Sequence, residues 1–386
     1  MSKATKGNLI AIGVLIACSI AIFILSRFEN IAEWWATSLY RNYAYAALNV
    51  FGNNKFDYFE YFMFSLALST ILIISLGIYY FVHKRKDKGW EMITGTVVML
   101  LSVVFICIAS MLPLYNRKQL AIKEQETLLS NDEAAAIAYQ YFEDFNNLIE
   151  GIDNSNSETN TYIRHYDDKV EYVGGENALI ESVREAYKML DDNKYFARVY
   201  ARVKKMSFSP VMSWFSIAGI SYLPTVEPGY NIEMNFSEKC LTIAHELAHT
   251  RGVMREADAN ETAYYVLLNS DNLYLKYVGY LSTYSYMLQV LKLTNHEIDK
   301  NLVPKAAQYD IKRNREFWES HGIFDKVGDA INSLYLKINS QDGTASYKSY
   351  SEYEEETTVD DQGNEQTTYS VKSFSHVQNM IFALYI

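Results

Sequence analysis

The stretch Leu241–Tyr265, LTIAHELAHTRGVMREADANETAYY, decides how the larger part of the chain is read. His245 and His249 stand four residues apart, a spacing that sets two imidazoles on one side of a helix, one turn from each other. Leu241, Ile243, Ala244, Leu247 and Ala248 give that helix apolar surface to bury, so the segment predicts a packed helix. Two imidazole nitrogens placed in this way reach a single ion at about 2.0–2.1 Å each. Glu246, beside the first histidine, is positioned to take a proton from water held by that ion, and the three residues spell the H-E-x-x-H pattern of zinc peptidases. The bland alternative is a charged helix that spells the pattern by chance.

A catalytic zinc needs a third protein ligand and one open position. The extended pattern H-E-x-x-H-x-x-G-x-x-H would place a histidine at position 255. Gly252 occupies its glycine position, but Arg255 stands where the ligand belongs, and a guanidinium has no lone pair to donate. The next donors are Glu256 and Asp258, with Glu261 further along. Glu256 is favoured, because Asn260 four residues later shares its helix face and can hydrogen-bond a ligand histidine from behind, fixing its tautomer. Asp258 is the alternative ligand. Glu261 reads as an acid near a helix N-terminus, where the dipole favours it. No group to stabilise an oxyanion is identified: His165 and His376 lie far off in sequence, Tyr264 and Tyr277 nearer.

Three apolar runs precede this region: residues 8–26, 61–82 and 92–114, each near the roughly 20 residues that a membrane-crossing helix needs. Lys3 and Lys6 before the first would suit a signal peptide, but "SRFENIAEWW" follows it instead of a small-residue cleavage pattern, so we read it as a retained span. Lys84, Arg85, Lys86 and Lys88 crowd the loop between the second and third runs. The positive-inside rule then predicts a cytoplasmic N-terminus and an extracytoplasmic chain after Leu114. Trp34, Trp35, Tyr40, Tyr43 and Tyr45, between the first two runs, either lie at the membrane interface or pack on the outer domain.

The expected organisation is a membrane region, 1–115, and a mainly α outer domain, 116–386. Helices are predicted from Ser130 or Asn131 to about residue 152, over residues 176–192, from about Glu256 to Leu268, and across Leu275–Lys292 and Asp325–Ile338. A short strand, Gly229–Phe236, precedes the histidine helix, and its edge could take an extended peptide by strand addition. "DNSNSETNT" reads as a polar loop, and the acidic Ser351–Tyr369 tail as a solvated loop or hairpin. The chain has 386 residues and a formal net charge of -11, without the basic face that nucleic acid requires. Its three cysteines give no disulfide framework and are too few for a four-cysteine zinc site.

"PVMSWFSIAGISYLPTVEPGYNIEMNF", "HELAHTRGVMREADANETAYY", "YVGYLSTYSYML" and "INSLYLKINSQDGTASY", in that order, resemble a bacterial domain-of-unknown-function family. The resemblance runs from Glu33 to the end. It implies three N-terminal transmembrane helices in the cytoplasmic membrane, followed by an outer zincin-like domain with peptidase activity. The motif is also similar to that of membrane gluzincins of the CAAX-protease and antibiotic-sensor type, whose third ligand is the Glu of an E-x-x-A-D pattern. Glu256–Asn260 matches that pattern with Asn in the last place and after a shorter gap. "MLPLYNRKQ" departs from the Trp-, Asn- and Tyr-rich stretch usual after the third span, and the acidic tail looks like an insertion.

Two functions follow as expectations. One is a membrane-anchored zinc metalloendopeptidase acting on peptides or proteins, with Glu246 as general base. The other is a catalytically idle zincin that binds a peptide and signals or scaffolds through its spans. Partners are then a polypeptide and the lipid bilayer, not nucleic acid; the oligomeric state is left open.

Overall fold

A computed structural model describes residues 1–120, 122–123, 129–152, 163–166, 168–339, 341, 343–347, 349–359 and 365–386. The polar stretch 153–161, read above as a loop, lies outside the described residues.

Three helices are long and apolar enough to cross a membrane: α1 (Lys3–Leu25), α4 (Tyr58–Val82) and α5 (Lys86–Tyr115), with peak mean hydropathies of 2.7, 2.1 and 2.7. At 1.5 Å per residue the shortest, of 23 residues, spans about 34 Å, enough for a hydrocarbon core of about 30 Å. α5 packs against both α1 and α4, and Asn8 Nδ2 donates to Thr94 Oγ1 at 3.0 Å to tie α1 to α5. The aliphatic side chains that these helices turn outward, such as Ile10, Ile71 and Val104, are exposed within the protein, as lipid-facing residues must be.

Between α1 and α4 runs a helical segment, α2 (Glu29–Trp34) and α3 (Arg41–Ala47), with π turns at Trp35–Tyr40 and Leu48–Gly52. Five of its buried residues, Ala32, Ala36, Tyr40, Ala44 and Leu48, recur every four positions. On an α-helix such a stripe drifts by about 40° at each step; π turns, which take an extra residue, unwind that drift and keep the stripe on one face. The aromatic segment therefore divides. Tyr40 is buried against the domain and Tyr43, though partly exposed, donates its hydroxyl to the Pro224 carbonyl, while Trp34 is exposed.

The rest of the chain is mainly helical. α6 (Asn131–Glu150) starts at a capping box formed by Ser130 and Glu133. α7 (Gly175–Ala186) and α8 (Ser209–Trp214) lead to the histidine helix α9 (Phe236–Thr250), followed by α10 (Glu256–Leu268) and α11 (Leu273–Leu293). α12 (Lys305–His321), α13 (Asp325–Ile338) and α14 (His376–Tyr385) complete the set; α8, α12 and α14 are not among the sequence expectations. Cys240, Ile243, Ala244 and Leu247 of α9 lie in one core with Val266 and Leu267 of α10 and Tyr277 and Val278 of α11.

Strands are short. β1 (Ile163–Tyr166) and β2 (Lys169–Tyr172) form a hairpin. β3 (Lys204–Met206), β4 (Gly219–Tyr222) and β5 (Glu227–Asn231) form a sheet in the order β3-β5-β4, with β3 parallel and β4 antiparallel to β5. The strand expected over Gly229–Phe236 thus starts earlier, ends at Asn231 and is central. Both its edges are paired and all five of its residues are buried, so it offers no edge to a peptide. The acidic tail contributes the antiparallel strands β6 (Glu352–Val359) and β7 (Glu365–Ser373).

A separate buried cluster joins Tyr40, Ala44 and Leu48, Leu114 and Tyr115 at the end of α5, and Leu223, Val226 and Met254. The two sides of residue 115 therefore share apolar core. Polar bonds reinforce it. Glu227, fully buried in β5, pairs with Lys204 Nζ at 3.3 Å and accepts the amides of Tyr58 (3.0 Å) and Phe59 (3.1 Å), capping α4 from the sheet.

Candidate metal centre

α9 ends because Gly252 adopts φ +92°, a left-handed conformation that a side chain rarely takes. The backbone conformation, not space, selects glycine here: an added Cβ would only touch Arg117 Nη1 and Tyr40 Cε1, both at 3.4 Å. Those two residues hold the turn, with Tyr40 Oη donating to the Thr250 carbonyl at 2.7 Å and Arg117 Nη1 to that of Gly252 at 3.0 Å. The reversal brings the start of α10 back alongside α9. Arg255, at the position where a third histidine is absent, is the N-cap residue of α10 and donates to the Arg117 carbonyl.

This places Glu256 against both histidines. Its Oε2 lies 3.1 Å from His245 Nε2 and 3.6 Å from His249 Nε2, and one ligand atom from each residue falls within 4.8 Å of the other two. Ligands on a tetrahedral ion at 2.0–2.1 Å sit about 3.3 Å apart, a figure that the two separations bracket. Asp258 does not join them. It is buried near Arg255 Nε, at 3.7 Å, and burial raises its pKa.

The other ring nitrogens define the protonation pattern. His249 Nδ1 lies 2.7 Å from the Val253 carbonyl, which can only accept, so that nitrogen carries the proton. Asn260 Nδ2 donates to the Tyr347 carbonyl at 2.9 Å, which fixes the orientation of its amide. Its Oδ1 then faces His245 Nδ1 at 2.8 Å and accepts from it. Both neutral imidazoles thus turn a bare Nε2 lone pair toward a carboxylate oxygen. Three sets of lone pairs converging in a buried site repel unless a cation lies among them.

In the metal-free chain a proton fills that role. Burial opposes charge on His249, but the Glu256 carboxylate overrides it and lifts the pKa from 6.5 to about 9. Burial likewise works to raise that of Glu256, and the two imidazoles override it, holding the carboxyl at about 2. Two imidazoles and a carboxylate brought together in this way could hold a metal ion.

Glu246 is buried beside this cluster, close enough to feel the charges of His245, His249 and Glu256, and burial raises its pKa. Its Oε2 finds no hydrogen-bond partner among the described residues. β4 passes directly over it: a Cβ on Gly219 would come within 2.5 Å of Glu246 Oε1 and 2.7 Å of Thr242 Cγ2, so only glycine allows this approach. Ser221 Oγ donates to the Glu246 carbonyl at 2.9 Å and pins strand to helix.

Three tyrosines gather on the other side, each near enough to Glu256 to feel its charge: Tyr115 of α5, Tyr335 of α13 and Tyr347. The Tyr347 ring lies nearly parallel to that of His245, with centroids 6.4 Å apart. Sequence reasoning does not single these out, because they lie about 85 to 135 residues from the histidines; the signal available is that Tyr335 and Tyr347 fall in the quoted stretch "INSLYLKINSQDGTASY" and Tyr115 in "MLPLYNRKQ". The four residues considered above for the oxyanion sit elsewhere. Tyr277 is bonded to Asp310 Oδ2 at 2.8 Å, Tyr264 lies in the core built by α6 and α14, His376 meets Gln119, and His165 is in β1.

No curated protein and no solved structure matches the chain. Residues 35–353 match the model of a family described as "Protein of unknown function (DUF3810)", a range that takes in the helix before α4, two of the apolar spans, the sheet, the histidine helix and Tyr347. The chain belongs to the DUF3810 family.

Proposed function

We propose that this chain is a membrane-anchored, zinc-dependent endopeptidase that cuts polypeptides on the side of the membrane opposite the Lys84–Lys88 loop. One observation carries the reading. Two imidazole Nε2 atoms, each with its Nδ1 proton committed elsewhere, lie 3.1 and 3.6 Å from one carboxylate oxygen, with one ligand atom from each of the three residues within 4.8 Å of the others and the Glu246 carboxylate buried beside them. His245, His249 and Glu256 would hold the metal, with Asn260 and the Val253 carbonyl orienting the imidazoles. Bound zinc polarises a scissile carbonyl and lowers the pKa of its water toward about 7. Glu246, buried beside the site, would accept a proton from that water and pass it to the leaving amine. β4, paired on one side only among the described residues, offers an extended peptide its free edge above Glu246. The basic loop after α4 supports a cytoplasmic N-terminus in a bacterial cytoplasmic membrane, with the metal site outside.

The test is metal content and peptide hydrolysis of the full chain purified in detergent. One zinc per chain is expected, lost in His245→Ala and Glu256→Ala. Glu246→Gln should keep the metal and abolish hydrolysis. An unmutated chain that binds zinc firmly yet performs its cellular role equally well with Glu246→Gln is a peptide-binding module, not an enzyme.

A further inference from the structure

α13 carries two apolar faces. Leu336 is buried in the core shared with Leu114 and Tyr115, and Gly328 is pressed against the Phe215 carbonyl. Phe324, Val327, Ile331 and Leu334 point the other way and are 46, 50, 62 and 62% exposed. At 100° per residue these four and Tyr335 fall within an arc of roughly 100°, while Asp325, Lys326, Asp329 and Lys337 fall outside it. Four large apolar side chains in one exposed stripe need a cover.

The position of the stripe says what covers it. Tyr335, at its margin, meets Met111 Sδ at 3.8 Å and Tyr115 Oη at 3.3 Å, both in α5. Met111 lies four residues before the end of α5, about 6 Å along the axis, so α13 touches this span inside its apolar length. α8 continues the surface. Phe208, Val211 and Trp214 are exposed, the Phe208 amide donates to Glu60 in the first turn of α4 at 3.0 Å, and the Phe324 amide donates to the Trp214 carbonyl at 2.7 Å. α8 and α13 thus adjoin the ends of α4 and α5, and both present exposed apolar side chains there.

The same ends of α4 and α5 border the metal centre. Tyr222, at the end of β4, packs on Phe59 and Phe62 of α4 with ring centroids 4.7 and 6.2 Å away, while Gly219, at its other end, lies over Glu246. On the opposite side Tyr335 of α13 faces Glu256, and Asn332 Nδ2 donates to Tyr347 Oη at 3.2 Å. Both walls of the site, β4 and α13, are therefore seated on the spans.

We propose that the apolar face of α8 and α13 lies in the headgroup–acyl boundary of the bilayer, and that the substrates are polypeptide segments held at that surface by a lipid anchor or a membrane span. An amphipathic helix with such a face sinks about 5–10 Å into the boundary. The substrate class rests on the peptidase reading above, since a cleft at the bilayer surface receives tethered chains at a far higher local concentration than free ones. The membrane face does not rest on it.

The test uses the full chain, zinc-loaded, in phosphatidylcholine–phosphatidylglycerol nanodiscs. A spin label at I331C, with Cys18, Cys107 and Cys240 replaced by Ser, is expected to collide more with lipid-dissolved oxygen than with an aqueous nickel complex, and one at K326C to show the reverse. In parallel, one peptide is offered free and carrying a palmitoyl anchor. The anchored form should be cleaved at least about tenfold faster, and V327E/L334E should bring its rate down to that of the free peptide without changing the latter. An I331C label open to nickel overturns the membrane face, as does one shielded from both reagents, which would mean that protein covers the helix. A label in lipid with equal rates for the two peptides overturns the substrate class. Failure to cut either peptide, with the label in lipid, defeats the peptidase reading and leaves the membrane face standing.

Discussion

Asn260→Ala isolates the element on which the metal centre depends without touching a ligand. Asn260 makes two bonds, accepting from His245 Nδ1 at 2.8 Å and donating to the Tyr347 carbonyl at 2.9 Å. The first keeps the proton on Nδ1 and the lone pair on Nε2; the second ties the turn carrying Tyr347 over the site. Without the acceptor, His245 is free to rotate and to take the other tautomer, with its lone pair turned from Glu256. Losing such an outer partner costs about 10–100-fold in metal affinity, roughly 1.4–2.7 kcal/mol. Zinc affinity, measured by competition with a chromophoric chelator on the full chain in detergent, should weaken by that factor. Asn260→Asp keeps the acceptor and loses only the donor to Tyr347, so it should restore zinc binding to within a few-fold of the unmutated chain. Thermal unfolding of the metal-free protein serves as the control. If Asn260→Ala binds zinc as tightly as the unmutated chain, or if the Asp variant is as weak as the Ala variant, the tautomer argument is wrong.

The metal-free chain should be most stable between about pH 4.5 and 6.5. The depressed pKa of Glu256 contributes stability above about 4.5 that is lost as pH falls toward 2, and the raised pKa of His249 contributes stability below 6.5 that is lost as pH rises toward 9. Thermal melts of chelator-treated protein should show this maximum, and Glu256→Gln should flatten the alkaline limb. With zinc present that limb should flatten or invert, because binding displaces the His249 proton. Gly219→Val should abolish hydrolysis while zinc is retained, since its Cβ needs the space that Glu246 Oε1 and Thr242 Cγ2 fill; metal content and peptide cleavage on one preparation decide this. Glu227→Ala should destabilise the fold by about 3–5 kcal/mol, because it removes the carboxylate paired with the buried Lys204 ammonium and leaves the Tyr58 and Phe59 amides without their acceptor, and a denaturant titration reads the loss.

The legible part of this protein lay in local patterns. Uninterrupted apolar runs announce the three spans because a membrane helix must be apolar all round. The helix of His245 and His249 is legible because a four-residue spacing maps directly onto one face. The capping box of Ser130 and Glu133 marks the start of α6 for the same reason: both partners lie within one turn. Reading failed where a residue's role depends on distant chain. Nothing within Gly229–Phe236 tells that β5 has a neighbour on each side, since β3 and β4 are separate, short segments. α12 is hard to read because no side-chain cap marks its start and its apolar positions are spread among polar ones, whereas α14 carries a local signal, the capping box of Ser375 and Gln378 ahead of an apolar run, that the reading above does not use.

What the sequence determined by itself is the set of donors: two histidines and a glutamate on one helix, an acid and an amide on the next, and three helices able to lie in lipid. Tertiary structure decided the rest. Only the left-handed turn at Gly252, clasped by Tyr40 from the segment between α1 and α4 and by Arg117 just past α5, swings Glu256 rather than Asp258 toward the imidazoles. Only the packing of α13 on α5 and of Tyr222 on α4 sets the site beside the spans. The physical reason is range. Helix periodicity acts over four residues, whereas the clasp joins Tyr40 to Thr250 and the site joins His245 to Tyr347, contacts that exist only once the chain has folded on itself.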